Sequence, residues 1–184
     1  MWYVIQTASG REDDIAKCLK RQGIKALVPK ENRLIRNGGL WRRKEYILFA
    51  GYVFVEMCYN AENYYKVKNI PGVIRFLGDS RNPSTLSYME AEWITLLTGR
   101  DNKPIEPTVV RICEDGSMKA VNGVLERFEN RIVKVDRRNR KATFELTVCG
   151  ETKEVQLSIV LEEDSEKIKT ALVEADQPIL KEAT

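Results

Sequence analysis

The chain has 184 residues, a mass of 21.2 kDa and a formal net charge of +3, with 43% hydrophobic and 31% charged residues. That is enough for one large domain or two small ones with a packed core, and it excludes a disordered acidic chain. No apolar run approaches the ~18–20 residues of a membrane-spanning helix, and the start, Met1-Trp2-Tyr3-Val4-Ile5, lacks the basic n-region of a signal peptide. A cytoplasmic chain with no membrane partner is expected. Histidine is absent, which removes Ser-His-Asp, Cys-His and His-ligated metal chemistry. Cys18, Cys58, Cys113 and Cys149 lie 40, 55 and 36 residues apart and form no C-x-x-C pair, so reduced thiols are expected. No enzyme activity, cofactor or metal site is expected.

In chain order, Trp2–Gln6 reads as a short apolar strand. Ser9 and Glu12 have capping-box spacing, Ile15, Ala16 and Leu19 share a helical face, and Gly23 ends the helix. Residues 25–36 and 40–48 read as a basic hairpin around Asn37-Gly38-Gly39. Gly51–Glu56 is β-branched and aromatic, a buried strand whose Tyr52 and Phe54 lie on one face and Val53 and Val55 on the other. The valines are the better core candidates, leaving the aromatics as an exposed partner surface. Asn60 caps a helix through Lys68, Val73–Leu77 is a strand, and Ser87 with Glu90 opens a helix that stops at Gly99. Residues 100–110, with Pro104 and Pro107, read as a linker. Beyond it, period-two runs at 132–135, 143–148 and 155–157 predict a small barrel. The expected fold class is α+β: an antiparallel sheet with packed helices over 1–99, a linker over 100–110, a β-barrel over 111–165, and a tail or short helix over 166–184.

Charge is concentrated. Residues 30–45 carry six basic and two acidic side chains, net +4, and residues 127–141 carry seven and two, net +5. Residues 142–164 follow with net −5. Two basic hairpins suit contact with a phosphate backbone, although a solvated face has the same composition.

Trp2-Tyr3-Val4-Ile5, Gly51-Tyr52-Val53-Phe54-Val55, Ile70-Pro71-Gly72-Val73 and Phe76-Leu77-Gly78 resemble the N-terminal (NGN) domain of NusG-type transcription elongation factors. The run Asn122–Asp136, with Val148–Leu157 as its second half, resembles their KOW motif, so the resemblance covers about residues 1–165. The family's Pro-Gly-Tyr is Ala50-Gly51-Tyr52 here, its Gly-Pro-Phe is Gly123-Val124-Leu125, and the motif glycine falls on Asn130. That glycine supplies a positive φ, which Asn tolerates next best. The dense run Asp136–Lys141 resembles the LoaP class of antiterminator paralogs.

The resemblance implies a factor that binds RNA polymerase and suppresses pausing and termination, with the KOW domain binding a nascent RNA hairpin. It implies polymerase contacts at Tyr3, Ile5, Phe49, Tyr52 and Phe54, and on the far side at Asn63, Tyr64 and Tyr65. It implies non-template DNA contacts at Arg33, Arg36, Trp41, Arg42, Arg43 and Lys44. RNA contacts would fall on Arg127, Arg131, Lys134, Arg137, Arg138, Arg140 and Lys141. The alternatives are a KOW domain that binds protein alone, such as ribosomal protein S10 in transcription-translation coupling, or a ribosome-associated RNA-binding protein. A monomer is expected.

Overall fold

The computed structural model describes residues 1–37, 40–79 and 82–176. The order is β1 Trp2–Thr7, α1 Glu12–Arg21, β2 Lys25–Leu27, β3 Lys30–Asn37, β4 Leu40–Ile47, β5 Tyr52–Glu56, α2 Ala61–Lys68, β6 Val73–Phe76 and α3 Tyr88–Leu96. β7 Thr108–Ile112, β8 Met118–Ala120, β9 Ile132–Asp136, β10 Lys141–Val148, β11 Glu151–Leu161 and α4 Glu162–Asp176 complete this α+β chain. The predicted turn at Gly38-Gly39 lies outside the described residues. The chain divides into two compact units: Met1–Lys30, Ile47–Ile105 and Glu145–Val155 in the first; Glu31–Tyr46, Glu106–Phe144 and the described part of Gln156–Thr184 in the second.

The first unit is built on a four-stranded sheet of order β2-β5-β1-β6, antiparallel at each pairing. Its register sets Tyr3 opposite Val55, Val4 opposite Phe54 and Ile5 opposite Val53. Strand alternation then sends Tyr3, Ile5, Val53 and Val55 to one face, where they pack with Ile15, Ala16 and Leu19 of α1 and with Val67 and Ile70.

Two predicted helix starts hold and one does not. Asn60 accepts the Asn63 amide at 2.8 Å. Ser87 and Glu90 form a reciprocal capping box. At α1, however, the helix begins at Glu12 after Arg11, with no side-chain cap. Glu12 is 1% exposed and its Oε1 accepts the Gly51 amide at 2.6 Å. A buried backbone donor needs an acceptor, and Glu12 answers that demand instead of reaching back to Ser9.

The stretch predicted as linker has structure. Asn102, in the left-handed region at φ 60°, donates through Nδ2 to the Ala26 carbonyl at 2.9 Å and accepts the Val28 amide at 3.4 Å. The Ile105 amide donates to the Lys30 carbonyl at 2.8 Å. Thr108 already belongs to β7, which runs parallel to β11. Proline at 104 and 107 hid this pairing, because the partner strand lies some fifty residues away.

Strands β7 to β11 belong to a five-stranded sheet of order β8-β7-β11-β10-β9. Phe128 and Phe144 stack at 4.6 Å in its core, with Leu125 fully buried beside them. The glycine that matters is Gly123, at φ 96°, where a Cβ would meet Thr108 Oγ1 at 2.7 Å. Asn130 does not carry the expected positive φ: it sits in a 3-10 turn, Glu129–Arg131. The predicted C-terminal tail begins as α4 directly after β11, and its Ile168 packs on Val160.

Candidate functional site

The aromatic surface expected to be open is closed, and it is also divided. β1 is a central strand, not an edge. Tyr3 and Ile5 are 3% and 0% exposed and face α1. Phe54 pairs with Val4 on the opposite face. The five residues therefore do not form one patch. Phe54 is fully buried, with Phe49 edge-on at 5.3 Å, and Tyr52 is half-buried. Both faces of β5 are core.

What remains on the Phe54 face is a crevice of about 200 Å³ lined by Val4, Phe49, Tyr52, Phe54 and Leu77 on one side and by Val148, Lys153 and Glu154 on the other. The last three flank the tip of the β10–β11 hairpin. Cys149 at φ 51° and Gly150 at φ 79° form its two-residue turn, the both-positive geometry that matches strand twist. Burial pushes the Cys149 thiol up to about 11, with the charges of Glu90 and Glu151 adding to the effect. The hydrogen bond from Lys153, at 2.6 Å, holds Glu151 below the usual carboxylate range.

Asn63, Tyr64 and Tyr65 divide by role. Tyr64 stacks on Phe76 at 5.5 Å, and Asn63 donates to the Cys58 carbonyl at 2.9 Å. Tyr65 is 59% exposed, so it is the residue of the three that offers a surface. Tyr59, which the sequence did not single out, is exposed and lies 5.6 Å from Tyr3 and 6.1 Å from Tyr64. It sits in a connection with no periodicity to mark it.

In the second unit the two basic clusters meet. The β3–β4 arm is pinned by Glu31, 1% exposed, whose Oε2 accepts the Ser158 amide at 2.7 Å and whose Oε1 pairs with Arg33. Arg33 also lies over Tyr46 at 4.2 Å. Trp41 packs against Val160 and Ile168, with the Arg140 guanidinium 5.2 Å from its ring. Arg140 Nη2 donates to Asp164 at 2.8 Å. Together Arg33, Trp41, Arg138, Arg140 and Lys141 line one groove.

The other candidates lie elsewhere. Arg42, Arg43 and Lys44 are exposed on β4, with Arg43 3.5 Å from Glu106 and Lys44 5.3 Å from the Tyr46 ring. The Arg36 side chain lies outside the described residues. Arg127, Arg131 and Lys134 are exposed, and Arg137 donates to the Gly116 carbonyl at 2.5 Å. At the β9–β10 turn, Asp136 accepts the Asn139 amide at 2.9 Å and its side-chain NH2 at 2.8 Å, which holds the Asp136 carboxyl below the ordinary range.

The chain as a whole has relatives among known proteins. The family described as "Transcription termination factor nusG" matches residues 1–95. The transcription termination/antitermination protein NusG of Escherichia coli (strain K12) is 31% identical over 169 residues, 85% of this chain and 91% of that protein. The protein of the same name from Buchnera aphidicola is 30% identical over the same length and shares of both chains. Among solved structures, one titled "Domain interaction in Thermotoga maritima NusG" superposes with a TM-score of 0.53 at 26% identity, covering 85% of this chain and 92% of its own. A family match over residues 1–95, together with relatives at 30–31% identity over 85% of the chain, is more than a shared fold: the chain belongs to the NusG family of transcription termination/antitermination proteins.

Proposed function

We propose that this NusG-family transcription factor binds RNA polymerase through the Phe49–Tyr52–Phe54 face, suppresses pausing and termination, and binds nascent structured RNA through the basic surface of its second unit. Family members are transcription elongation and termination factors rather than enzymes. The observation that carries the polymerase reading is the apolar crevice roofed by the β10–β11 tip. An apolar surface made for a partner needs a cover while the partner is absent, and a single hairpin tip is a removable one. Polymerase affinity would then be reduced by the closed fraction.

Co-purification with RNA polymerase tests this. Tyr52→Ala, at a half-buried position, is expected to lose polymerase while keeping its melting temperature. Val148→Ala, which thins the roof, is expected to raise retention. Undiminished retention of Tyr52→Ala would place the contact elsewhere. The density of cations at the β9–β10 turn supports the RNA role and the LoaP-like specialisation. Contact of Arg42, Arg43 and Lys44 with non-template DNA, a monomeric state and a cytoplasmic location belong to the same reading.

A second reading, in which the second unit binds a protein such as ribosomal protein S10, is favoured by β9. It is an edge strand of its sheet and carries Val133 at 55% exposure, a place where a partner strand adds readily. Val133→Lys is expected to remove such a partner and leave RNA binding intact.

A further inference from the structure

We infer that the groove side of the β3–β4 arm, at Arg33 and Trp41, and the β9–β10 turn form one site for an unpaired nucleotide of RNA; this rests on the RNA reading above and assigns it a place and a form of ligand. The groove they share has a cavity of about 350 Å³, within the ~300–1,000 Å³ of small-ligand sites. A double helix does not enter a space of that size; one base does. Leu34, Ile159 and Val160 supply an apolar wall for a base, and Arg138 and Lys141 stand on the lining where its phosphate would lie. Apolar contact plus charge is the combination by which unpaired nucleotides are held.

Arg140 adds a second, independent sign. Its backbone, at φ 53°, is the left-handed position that closes the β9–β10 turn. Asp164 and Trp41 fix its guanidinium, yet its buried Nη1 has no hydrogen-bond partner among the described residues. A buried cationic N–H without an acceptor is unfavourable, and a base carbonyl or phosphate oxygen in the groove would satisfy it. The arm is held in place beforehand by the Glu31–Ser158 contact and by Asn32, which donates to Glu106 at 2.8 Å. The site therefore needs little ordering when a ligand arrives.

The test measures fluorescence anisotropy of three labelled probes with the full chain: a short RNA hairpin with a single-stranded loop, a blunt RNA duplex of equal length, and single-stranded oligodeoxythymidylate. The RNA hairpin is expected to bind about ten-fold tighter than the duplex. Trp41→Leu, which keeps apolar packing, and Arg138→Ala should each erase most of that preference without shifting the melting temperature. Their combination should lose little more than the larger single effect, because both act on one nucleotide. If Trp41→Leu melts early, Trp41→Phe replaces it, with a smaller loss expected. An additive double variant, or hairpin binding unaffected by both Trp41 substitutions, would overturn the joint site while leaving the RNA reading standing. Equal or tighter binding of the DNA probe would overturn the assignment to RNA. Failure of the unaltered chain to bind any RNA probe would sink the RNA reading itself.

Discussion

The Phe49–Tyr52–Phe54 face and the Arg138–Lys141 turn are both candidate partner surfaces, and they differ in what water permits. The first is apolar. Left open it would cost roughly 25 cal/mol for each Å² of apolar surface, and in the structure it is packed to 8% exposure at Phe49 and 0% at Phe54. The second is cationic. Water solvates it, so Arg138 stays exposed with nothing needed to cover it. A surface that is sticky in water must be covered between uses, whereas a charged one can wait open. Regulation by uncovering is thus available to the first region and not to the second.

The comparison breaks most visibly under core truncation. Phe54→Ala is expected to cost about 3–5 kcal/mol, read by urea denaturation, because both faces of β5 are core. Arg138→Ala should stay within about 0.5 kcal/mol of the unaltered chain. If Phe54→Ala proved neutral, the face would be open in solution after all.

Thiol chemistry sharpens the same point more gently. Cys58 is exposed, whereas Cys149 lies at the hairpin tip with its thiol raised to about 11. Alkylation near neutral pH should be roughly a hundred-fold slower at Cys149 than at an ordinary free thiol, following its smaller thiolate fraction. Added RNA polymerase should accelerate it if the tip is displaced. Peptide mapping after timed alkylation checks both statements.

Next in size is salt. Binding of the RNA hairpin should weaken log-linearly with salt, and Arg138→Ala should reduce the steepness by about one contact. A slope that does not change would remove Arg138 from the phosphate path.

The smallest effect is in acid. Hydrogen bonds from Asn139 hold the Asp136 carboxyl below its ordinary range. A depressed carboxylate contributes stability that is complete above its unfolded value and is lost as pH falls through the folded one. The β9–β10 turn should therefore loosen as acid protonates Asp136, seen as faster exchange of the Asn139 amide. Asp136→Asn should flatten that dependence.

Much of the fold was readable because it rests on local rules. Asn60 and Ser87 cap helices by contacts within three residues, and Gly23, at φ 76°, ends α1. The alternation of β10 marks a half-buried strand whatever its partner. Ser9 failed as a cap because Glu12 was drawn to the amide of Gly51, 39 residues away. Thr108–Ile112 was missed as a strand because its partner is β11. Of the candidate site residues, the basic ones were legible by density, but nothing in their spacing told Arg138 and Lys141, which share a groove with Trp41, from Arg127 and Arg131, which do not line it.

Residue types and short-range periodicity by themselves determined most of the order of elements over the first hundred residues, β5 as a strand with a valine core face, and the two basic clusters, since helix, strand and charge depend on neighbours within a turn or two. Tertiary structure alone decided which face of a strand is covered, that Tyr3 and Phe54 lie on opposite sides of one sheet, and that Trp41 and Arg140, 99 positions apart, meet at 5.2 Å. Those outcomes depend on strand register and on contacts distant in sequence, which local periodicity does not encode.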